Sequence, residues 1–190
     1  MEMVDGNRLS RNDWARRALE GIARGGVDAV SVEGLARELA VTKGSFYWHF
    51  ADRADLIGAA LELWEQDATL DVIDEVSAVP DVRARLARLF EISFGDLRDG
   101  PVDAALVSRA DDPLIGPVVE RVNEMRLGFL EATYRELGLS RLRAARQARI
   151  AYSAYLGHFL VRRAVPGDVH LRDISAGYMQ QLLQSIVPSD

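Results

Sequence analysis

The apolar residues of this chain recur at the period of an α-helix along almost its whole length, and no stretch shows the sustained alternation of a half-buried β-strand. Val32, Leu35, Ala36 and Leu39, for example, follow the i, i+3, i+4, i+7 spacing of one helical face. The same spacing returns between successive glycine and proline breaks. The sequence therefore predicts an all-α protein of about nine helices.

Capping residues indicate where the first helices begin. Ser10 is followed three residues later by Asp13, which is the pattern of a capping box, and Gly25-Gly26 ends the helix that follows. Ser31 can cap a second helix, and Thr42 can cap a third that starts only two residues after the second has ended. The sequence thus predicts two helices joined by a tight turn, the later of which is very short.

A long fourth helix is predicted next. Asp52 can cap it, and its apolar positions continue to about residue 77, before Pro80. About 25 helical residues span about 40 Å, because each residue adds ~1.5 Å. This helix is therefore long enough to connect two domains. We therefore expect a first domain over residues 1–53 and a second over residues 54–190, with the helix at about 53–77 as connector.

The second domain is expected to be helical throughout. Beyond the connector, the spacing predicts helices at about residues 81–98, 103–110, 114–137, 141–163 and 171–186, separated by Gly100-Pro101, Gly138 and Pro166-Gly167. The helix at 141–163 has stripes of small and β-branched side chains, which let two helices approach closely.

Composition excludes several kinds of protein. Of the 190 residues 48% are apolar, so the chain can bury a core without disulfides or metals. It has no cysteine and three scattered histidines, so we expect no metal site and no cofactor. No apolar run approaches the ~20 residues that cross a bilayer, and no signal peptide is recognisable, so we expect a cytoplasmic protein without membrane contact.

Catalysis is not supported by any motif. Carboxylates are plentiful, but a pair such as Asp111-Asp112 at a helix start is typical of a cap on a solvated surface. The sequence has no glycine-rich phosphate loop, no metal-ligand spacing and no nucleophile–base pair. We therefore expect no catalytic residues.

Charge is distributed unevenly along the chain. The formal net charge of −6 disfavours general binding to polyanions. Residues 1–53 nevertheless hold eight basic and eight acidic groups, whereas residues 54–190 hold 15 basic and 21 acidic groups. The first domain is therefore the part of the chain that can approach phosphate.

Residues 42–50 have the sequence TKGSFYWHF. Two helices joined by a tight turn, with small polar groups at the start of the second, match a helix-turn-helix, whose second helix presents its N-terminal residues to the major groove. Here those residues are Thr42, Lys43, Gly44 and Ser45. Lysine can donate to guanine or phosphate, hydroxyls can donate to phosphate, and glycine lets the backbone come close, so this segment is a candidate DNA-reading surface.

The four aromatic residues of this segment cannot all be buried in so short a helix. Phe46 and Phe50 lie four residues apart on one face, and we expect them to pack in the core. Tyr47 and Trp48 fall on other faces, and we expect both to contact DNA, the first through its hydroxyl and the second at a sugar or a thymine methyl. His49 is left open between a phosphate contact and a local structural hydrogen bond.

The residues from about 11 to 56 resemble the N-terminal DNA-binding domain of the TetR family of transcriptional repressors. The residues that carry the resemblance are Val32, Leu35-Ala36, Leu39-Ala40-Val41, Lys43-Gly44, Tyr47, His49-Phe50, Arg53 and Leu56. Two positions depart from the family pattern. Ala40 stands where the turn usually carries glycine, and whether the turn requires a positive φ there is left open. Arg53 stands where lysine often binds phosphate and keeps its charge, so we include it among the DNA-contacting residues.

The resemblance implies roles for the remaining helices. In family members the long fourth helix links the DNA-binding domain to a regulatory domain, helices five to seven enclose a ligand pocket, and helices eight and nine form a dimeric four-helix bundle. We expect an apolar, aromatic ligand with His158 or a tyrosine hydroxyl as polar anchor. The candidate ligand-binding residues, each of which can also be ordinary core, are Trp64, Phe90, Phe94, Met125, Phe129, Tyr152, Tyr155 and His158.

A dimer is expected because one short reading helix touches few bases, so useful affinity requires two copies on two half-sites. The small-residue faces of the last two helices can supply the interface. The candidate residues are Ile150, Ala154, Gly157, Val161, Ile174, Tyr178 and Leu182.

Two hypotheses about function follow. The first is a dimeric repressor that binds a palindromic operator in double-stranded DNA and is released by a small effector. The alternative is a helical dimer of the same fold that binds a ligand or a partner without specific DNA binding. The polar residues Thr42, Lys43 and Ser45 speak against the alternative.

Overall fold

The computed structural model describes residues 9–95, 99–165, 180–181 and 184–187. The described residues form α-helices and contain no strand, which confirms the all-α prediction. The labelled helices are α1 (Arg11–Gly25), α2 (Val32–Glu38), α3 (Lys43–Phe46), α4 (Arg53–Glu65), α5 (Asp71–Ser77), α6 (Val82–Gly95), α7 (Asp99–Val107), α8 (Gly116–Glu136) and α9 (Arg141–Ala164). The predicted last helix at about 171–186 lies mostly outside the described residues.

The predicted caps hold the N-terminal helices in place. Ser10 and Asp13 form the reciprocal capping box at the start of α1. The Ser31 hydroxyl accepts from the backbone N–H of Gly34 at 3.1 Å, and Asp52 caps α4 in the same way. Thr42 stands at the N-cap position of α3 but makes no side-chain capping hydrogen bond, so its hydroxyl is not used in folding this helix.

The connector is one continuous helical rod from residue 53 to residue 77, as predicted. It is not uniform, because a π-helical segment, Gln66–Leu70, separates α4 from α5. Such segments are rare and often occur at functional sites. The π segment is therefore a candidate functional position within the connector.

The hydrophobic core has two parts, and the first part crosses the predicted domain boundary. It contains the apolar faces of α1, α2, α3 and α4, and it continues into α7 and α8 through Val102, Leu106, Ile115, Val119 and Val122. The second part lies among α6, α7, α8 and α9. The helix-turn-helix is thus packed directly on the second domain, and a boundary at residue 53 stays a prediction.

The Gly100-Pro101 dipeptide, predicted to separate two helices, lies inside the first turn of α7. Proline is tolerated there because the first N–H groups of a helix have no intrahelical partner. A Cβ on Gly100 would come within 2.2 Å of the Phe159 ring, so α7 and α9 approach closely at this residue. The glycine is needed for packing rather than for a turn.

The turn after α2 requires a positive φ at Ala40. The backbone N–H of Val41 donates to Ala36 O at 2.9 Å and that of Ala40 to Arg37 O at 3.2 Å, which is a Schellman motif with Ala40 at its left-handed position. Its φ is 54°. The same motif ends α8 with Gly138, whose φ is 92°. The geometry therefore demands the conformation that glycine adopts most easily.

Candidate DNA interface and ligand cavity

The core of the helix-turn-helix is built around Phe46 and Phe50, as predicted. Their side chains are 0% and 2% exposed, and their rings stack with centroids 5.3 Å apart. Trp14 of α1 packs edge-on against Phe46 at 5.5 Å. These contacts fix α3 against α1 and determine which of its side chains face outward.

The outward face of α3 carries the predicted DNA-contacting residues. Thr42, Lys43 and Gly44 are exposed, and Ser45 is half-buried. Tyr47 is 58% exposed and Trp48 is 79% exposed, although both are large apolar side chains. Small polar groups and two exposed rings thus share one surface, which can offer hydrogen bonds to phosphates and base edges and apolar contact to sugars.

Lys43 forms an exposed ion pair with Glu33 of α2. The hydrogen bond and charge of Glu33 raise the pKa of Lys43, and Lys43 in turn lowers the pKa of Glu33. Because both side chains remain in water, the pair is easily exchanged for other partners. Lys43 is therefore ionised and available for a phosphate or a guanine.

Two arginines use their guanidinium groups to brace the helix-turn-helix. Arg53 donates from Nε to Val30 O at 2.7 Å and from Nη2 to Val27 O at 2.6 Å. Arg11 donates to His49 O at 2.6 Å and to the Asp55 carboxylate at 2.7 Å. The structure thus gives Arg53 a bracing role between α4 and the loop before α2, because its N–H groups already point at carbonyls. A DNA contact by Arg53 stays a prediction, as does one by the half-buried His49.

A cavity of about 70 Å³, partly open to solvent, lies between the connector and helices α6, α8 and α9. Its wall is mostly apolar and aromatic. The lining residues are Ala68, Thr69, Val72, Ile73, Leu89, Phe90, Ile92, Ser93, Arg126, Phe129, Leu130, Ala151, Tyr152 and Tyr155. A concave, apolar site with a few polar groups is what a small-molecule ligand requires.

Half of the predicted ligand-binding residues line this cavity, and the others are placed elsewhere. Phe90, Phe129, Tyr152 and Tyr155 belong to its wall. The other four, Trp64, Phe94, Met125 and His158, are not among its lining residues, and a ligand contact by any of them stays a prediction. Trp64 and Met125 belong to the core beneath the helix-turn-helix, and the rings of Phe94 and His158 pack against each other with centroids 5.6 Å apart. Helical period identifies the inward face of a helix but not which inward residues meet a cavity.

A buried polar cluster forms one end of the cavity wall. The Asp103 side chain is 0% exposed, and Arg126 donates to its two oxygens at 2.6 and 3.3 Å. The indole N–H of Trp64 and the hydroxyl of Tyr155 donate to the same carboxylate, each at 2.5 Å. Asp103 thus accepts four hydrogen bonds, so this buried charge is fully compensated.

Arg126 also contacts the π segment of the connector. Its Nε donates to Thr69 Oγ1 at 2.9 Å and its Nη2 to Ala68 O at 3.0 Å. Burial by itself would lower the pKa of Arg126, but the facing Asp103 carboxylate outweighs burial and the pKa is raised. Burial raises the pKa of Tyr155, so its hydroxyl remains a donor. One charged side chain thus joins the cavity, the connector and α7.

Sequence reasoning missed Asp103 and Arg126. A signal was present, because Asp103 interrupts the apolar run of residues 102–107 and Arg126 stands between Met125 and Leu127. A charged residue inside an apolar stretch indicates a buried ion pair, but the sequence did not reveal that these two, 23 positions apart, are partners.

The outer face of α9 carries the described part of the predicted dimer interface. Ile150 and Val161 are 55% and 48% exposed, and Ala154 and Gly157 are half-buried on the same stripe. A Cβ on Gly157 would meet nothing within 4 Å. The remaining candidates, Ile174, Tyr178 and Leu182, lie outside the described residues. An exposed apolar stripe of this kind is typical of a protein–protein contact.

These features together define a class of protein. A helix-turn-helix with an exposed polar reading surface, joined by a long helix to a helical domain with a cavity, is the architecture of a DNA-binding regulator of transcription. Residues 16–66 match the family described as "Bacterial regulatory proteins, tetR family". The segment from within α1 to the end of α4 is thus similar to the DNA-binding domain of the TetR family.

Solved structures share the fold over nearly the whole chain. A TetR transcriptional regulator from Legionella pneumophila matches with a TM-score of 0.78 and 17% identity, covering 95% of this chain and 99% of its own. A TetR-family regulator from Agrobacterium tumefaciens matches with a TM-score of 0.75 and 19% identity, covering 93% and 99%. FadR from Bacillus subtilis, solved in complex with stearoyl-CoA, matches with a TM-score of 0.66 and 16% identity, covering 93% and 100%.

A comparison of the sequence with curated proteins finds no match. Among the described residues, no helix is both long enough and apolar enough to span a bilayer.

Proposed function

We propose that this protein is a cytoplasmic, dimeric transcriptional repressor. It binds a palindromic operator in double-stranded DNA and is released from it by a small apolar or aromatic ligand. The observation that carries the proposal is the outward face of α3. Lys43 of α3, and Tyr47 and Trp48 just after its end, are exposed, whereas Phe46 anchors the helix in the core. Their side chains are largely in water, so their chemistry is available for DNA.

The cavity supports regulation by a ligand. Its wall includes Ala68 and Thr69 of the connector, and Arg126 bonds to both of these residues. A ligand that changed the position of Arg126 would therefore change the connector that carries the helix-turn-helix. The dimer then has two states, which differ in the distance between its two helix-turn-helix domains. A ligand that binds more tightly to the state whose domains do not match the half-site spacing shifts the dimer to that state, and the DNA is released.

The aromatic lining favours an apolar ligand. Phe90, Phe129, Tyr152 and Tyr155 present rings to the cavity. FadR from Bacillus subtilis, which shares the fold, was solved in complex with stearoyl-CoA, a molecule with a long apolar acyl chain.

Dimerisation is tested most directly on α9. Val161→Arg places a charge on the exposed stripe without touching the buried face of the helix, and we expect it to yield monomers in sedimentation velocity and to abolish operator binding. Arg149→Glu is a suitable control, because Arg149 is exposed on the same helix about 100° around its axis from the stripe. A dimer that persists in Val161→Arg would place the interface elsewhere.

DNA binding is tested by gel shift with the DNA that flanks the protein's own gene and with selected random oligonucleotides. We expect salt-sensitive, sequence-selective binding by the wild type and a large loss in Tyr47→Ala. The loss should not reflect unfolding, since Tyr47 is 58% exposed. If the wild type binds none of these DNAs selectively, the alternative of a ligand- or partner-binding dimer is favoured instead.

A further inference from the structure

The wall of the proposed ligand cavity includes an arginine, but this side chain already forms hydrogen bonds with other groups of the protein. Arg126 is the one charged residue among the described residues that line the cavity. A guanidinium in an apolar site ordinarily binds an anionic ligand, because it matches a carboxylate in shape and charge. Here the Asp103 carboxylate occupies that place, with oxygens 2.6 and 3.3 Å from two guanidinium nitrogens.

The other donors of Arg126 are largely occupied as well. Nε donates to Thr69 Oγ1 at 2.9 Å, and Nη2 makes a second bond to Ala68 O at 3.0 Å. A guanidinium has five N–H groups, and these bonds use four of them. A ligand carboxylate therefore finds neither an uncompensated positive charge nor the paired donors of a bidentate contact.

Asp103 is equally well satisfied and cannot move aside at low cost. It accepts from Trp64 and Tyr155 in addition to Arg126, and its side chain is 0% exposed. If a ligand carboxylate displaced Asp103 from Arg126, two buried negative charges would share one positive charge. Such an arrangement is strongly unfavourable in a site with little water.

The remaining polar groups at the wall are neutral. The Tyr152 hydroxyl is neutral and donates to Asn123 Oδ1 at 2.6 Å. Ser93 offers a hydroxyl on the α6 side of the cavity. A ligand amide or hydroxyl can pair with these groups, whereas an ionised carboxylate would lose its water without a counterion.

We propose that the cavity selects uncharged apolar ligands over carboxylates of the same shape, and that Asp103 sets this selectivity by neutralising Arg126 from within the protein. The inference rests on the proposed ligand-binding role of the cavity. It assigns the chemical class of the ligand: an uncharged, largely apolar molecule with at least one neutral hydrogen-bonding group.

Isosteric pairs of probes test the selectivity in the wild-type protein. The pairs are 2-naphthamide with 2-naphthoic acid, and dodecanamide with dodecanoic acid, measured by isothermal titration calorimetry at pH 7 with the full chain. We expect at least one amide to bind and its carboxylate to bind at least about tenfold more weakly, because the charge is desolvated without compensation. Ser93→Phe, which adds a ring at the half-buried wall, should weaken both members of a pair.

The variant Asp103→Asn tests the assigned residue. Asparagine has nearly the same shape and keeps one acceptor oxygen in place of two, but it leaves the charge of Arg126 uncompensated. We expect the amide-to-carboxylate preference to move toward the carboxylate by at least about tenfold. Asp111→Asn makes the same change of charge at an exposed residue and should leave the preference unchanged.

The outcomes separate the two proposals. If an amide and its carboxylate bind the wild type equally and Ser93→Phe weakens both, the selectivity is wrong and the ligand cavity stands. If the wild type discriminates but Asp103→Asn does not alter the preference, the assignment to Asp103 is wrong. If neither pair binds, or Ser93→Phe has no effect on binding, the proposed role of the cavity fails and the selectivity with it. Should Asp103→Asn not fold, the wild-type comparison decides the selectivity by itself.

Discussion

The proposed DNA-contacting surface at residues 42–48 and the cavity wall each contribute a residue to an ion pair. The first pair is exposed to water and the second is buried. The side chains of Lys43 and Glu33 are 50% and 60% exposed, whereas those of Arg126 and Asp103 are 12% and 0% exposed. Water can replace either partner of the exposed pair, but it does not reach Asp103 of the buried pair. The exposed pair is therefore available for a new partner such as phosphate, and the buried pair is a fixed part of the fold.

This contrast predicts how the free energy of unfolding responds when each kind of contact is changed. Groups in the buried cluster should give the largest effects and groups on the reading surface the smallest. Function should respond differently, because an exposed residue can matter for DNA without mattering for stability.

The largest effect is expected for Asp103→Ala. This substitution removes the partner of a buried guanidinium and should lower the free energy of unfolding by about 3–5 kcal/mol, measured by urea denaturation. Asp111→Ala, at an exposed position, should change it by about 0.5 kcal/mol or less. A loss of under about 1 kcal/mol in Asp103→Ala would mean that water replaces the carboxylate and that the cluster is not dry.

Tyr155→Phe should have the second largest effect. It removes one hydrogen bond to the buried Asp103 carboxylate and should lower the free energy of unfolding by about 2 kcal/mol. Tyr152→Phe removes a hydroxyl that bonds to the neutral Asn123, so its cost should be smaller, about 1 kcal/mol. Equal losses in the two variants would contradict the prediction that the negative charge of Asp103 strengthens its hydrogen bond from Tyr155.

Ala40→Gly should stabilise the protein. Relief of the left-handed strain, about 1–2 kcal/mol, exceeds the entropy that glycine adds to the unfolded chain, so we expect a net gain of about 0.5–1 kcal/mol. Gly138→Ala is the reciprocal control, since a Cβ there meets nothing within 4 Å and only the backbone conformation is tested. A loss of stability in Ala40→Gly would show that Ala40 makes contacts which offset the strain.

A smaller, pH-dependent effect is expected at Glu65. Its hydrogen bonds from Arg121, at 2.7 and 2.5 Å, lower its pKa, so its stabilising contribution is present at neutral pH. That contribution disappears as the pH falls from about 4.5, the ordinary value for glutamate, through the lower folded-state pKa. Glu65→Gln should cost about 0.5 kcal/mol at pH 7 and nothing in acid. Parallel pH profiles of the wild type and variant would refute the assignment.

The smallest effect on stability is expected for Lys43→Ala. Because the Lys43–Glu33 pair is exposed, the free energy of unfolding should change by less than about 0.5 kcal/mol. The salt dependence of DNA binding should nevertheless fall by about one unit of slope if Lys43 contacts phosphate. Glu33→Gln is the matched control, since it frees Lys43 and should strengthen DNA binding. An unchanged salt slope in Lys43→Ala would remove Lys43 from the phosphate contacts.

The starts of the first helices, the helical run from residue 53 to residue 77, and the division of the aromatic residues at 46–50 into buried and exposed could be predicted from the sequence. Each of these depends on residues within a few positions of one another. Ser10 with Asp13 forms a capping box in one turn, and Phe46 with Phe50 defines one face of a helix. Local spacing therefore carries the information, and the structure agrees with it.

The cavity could be predicted only in part. Phe90 and Phe94 are one turn apart on α6 and equally apolar, but only Phe90 is at the wall. Trp64 was expected at a ligand and instead donates to Asp103. These differences depend on how α6, α7, α8 and α9 are placed against the connector, which no local pattern encodes.

The sequence by itself determined that this protein is all-α, that its N-terminal domain is a helix-turn-helix, and which aromatic residues at positions 46–50 are buried and which are exposed. Tertiary structure decided that Arg53 braces the domain and that Asp103 neutralises Arg126 beside the cavity. The physical reason is the range of the interactions. Caps and helical faces join neighbours along the chain, whereas a buried charge takes its partner from whichever helix the packing brings within reach.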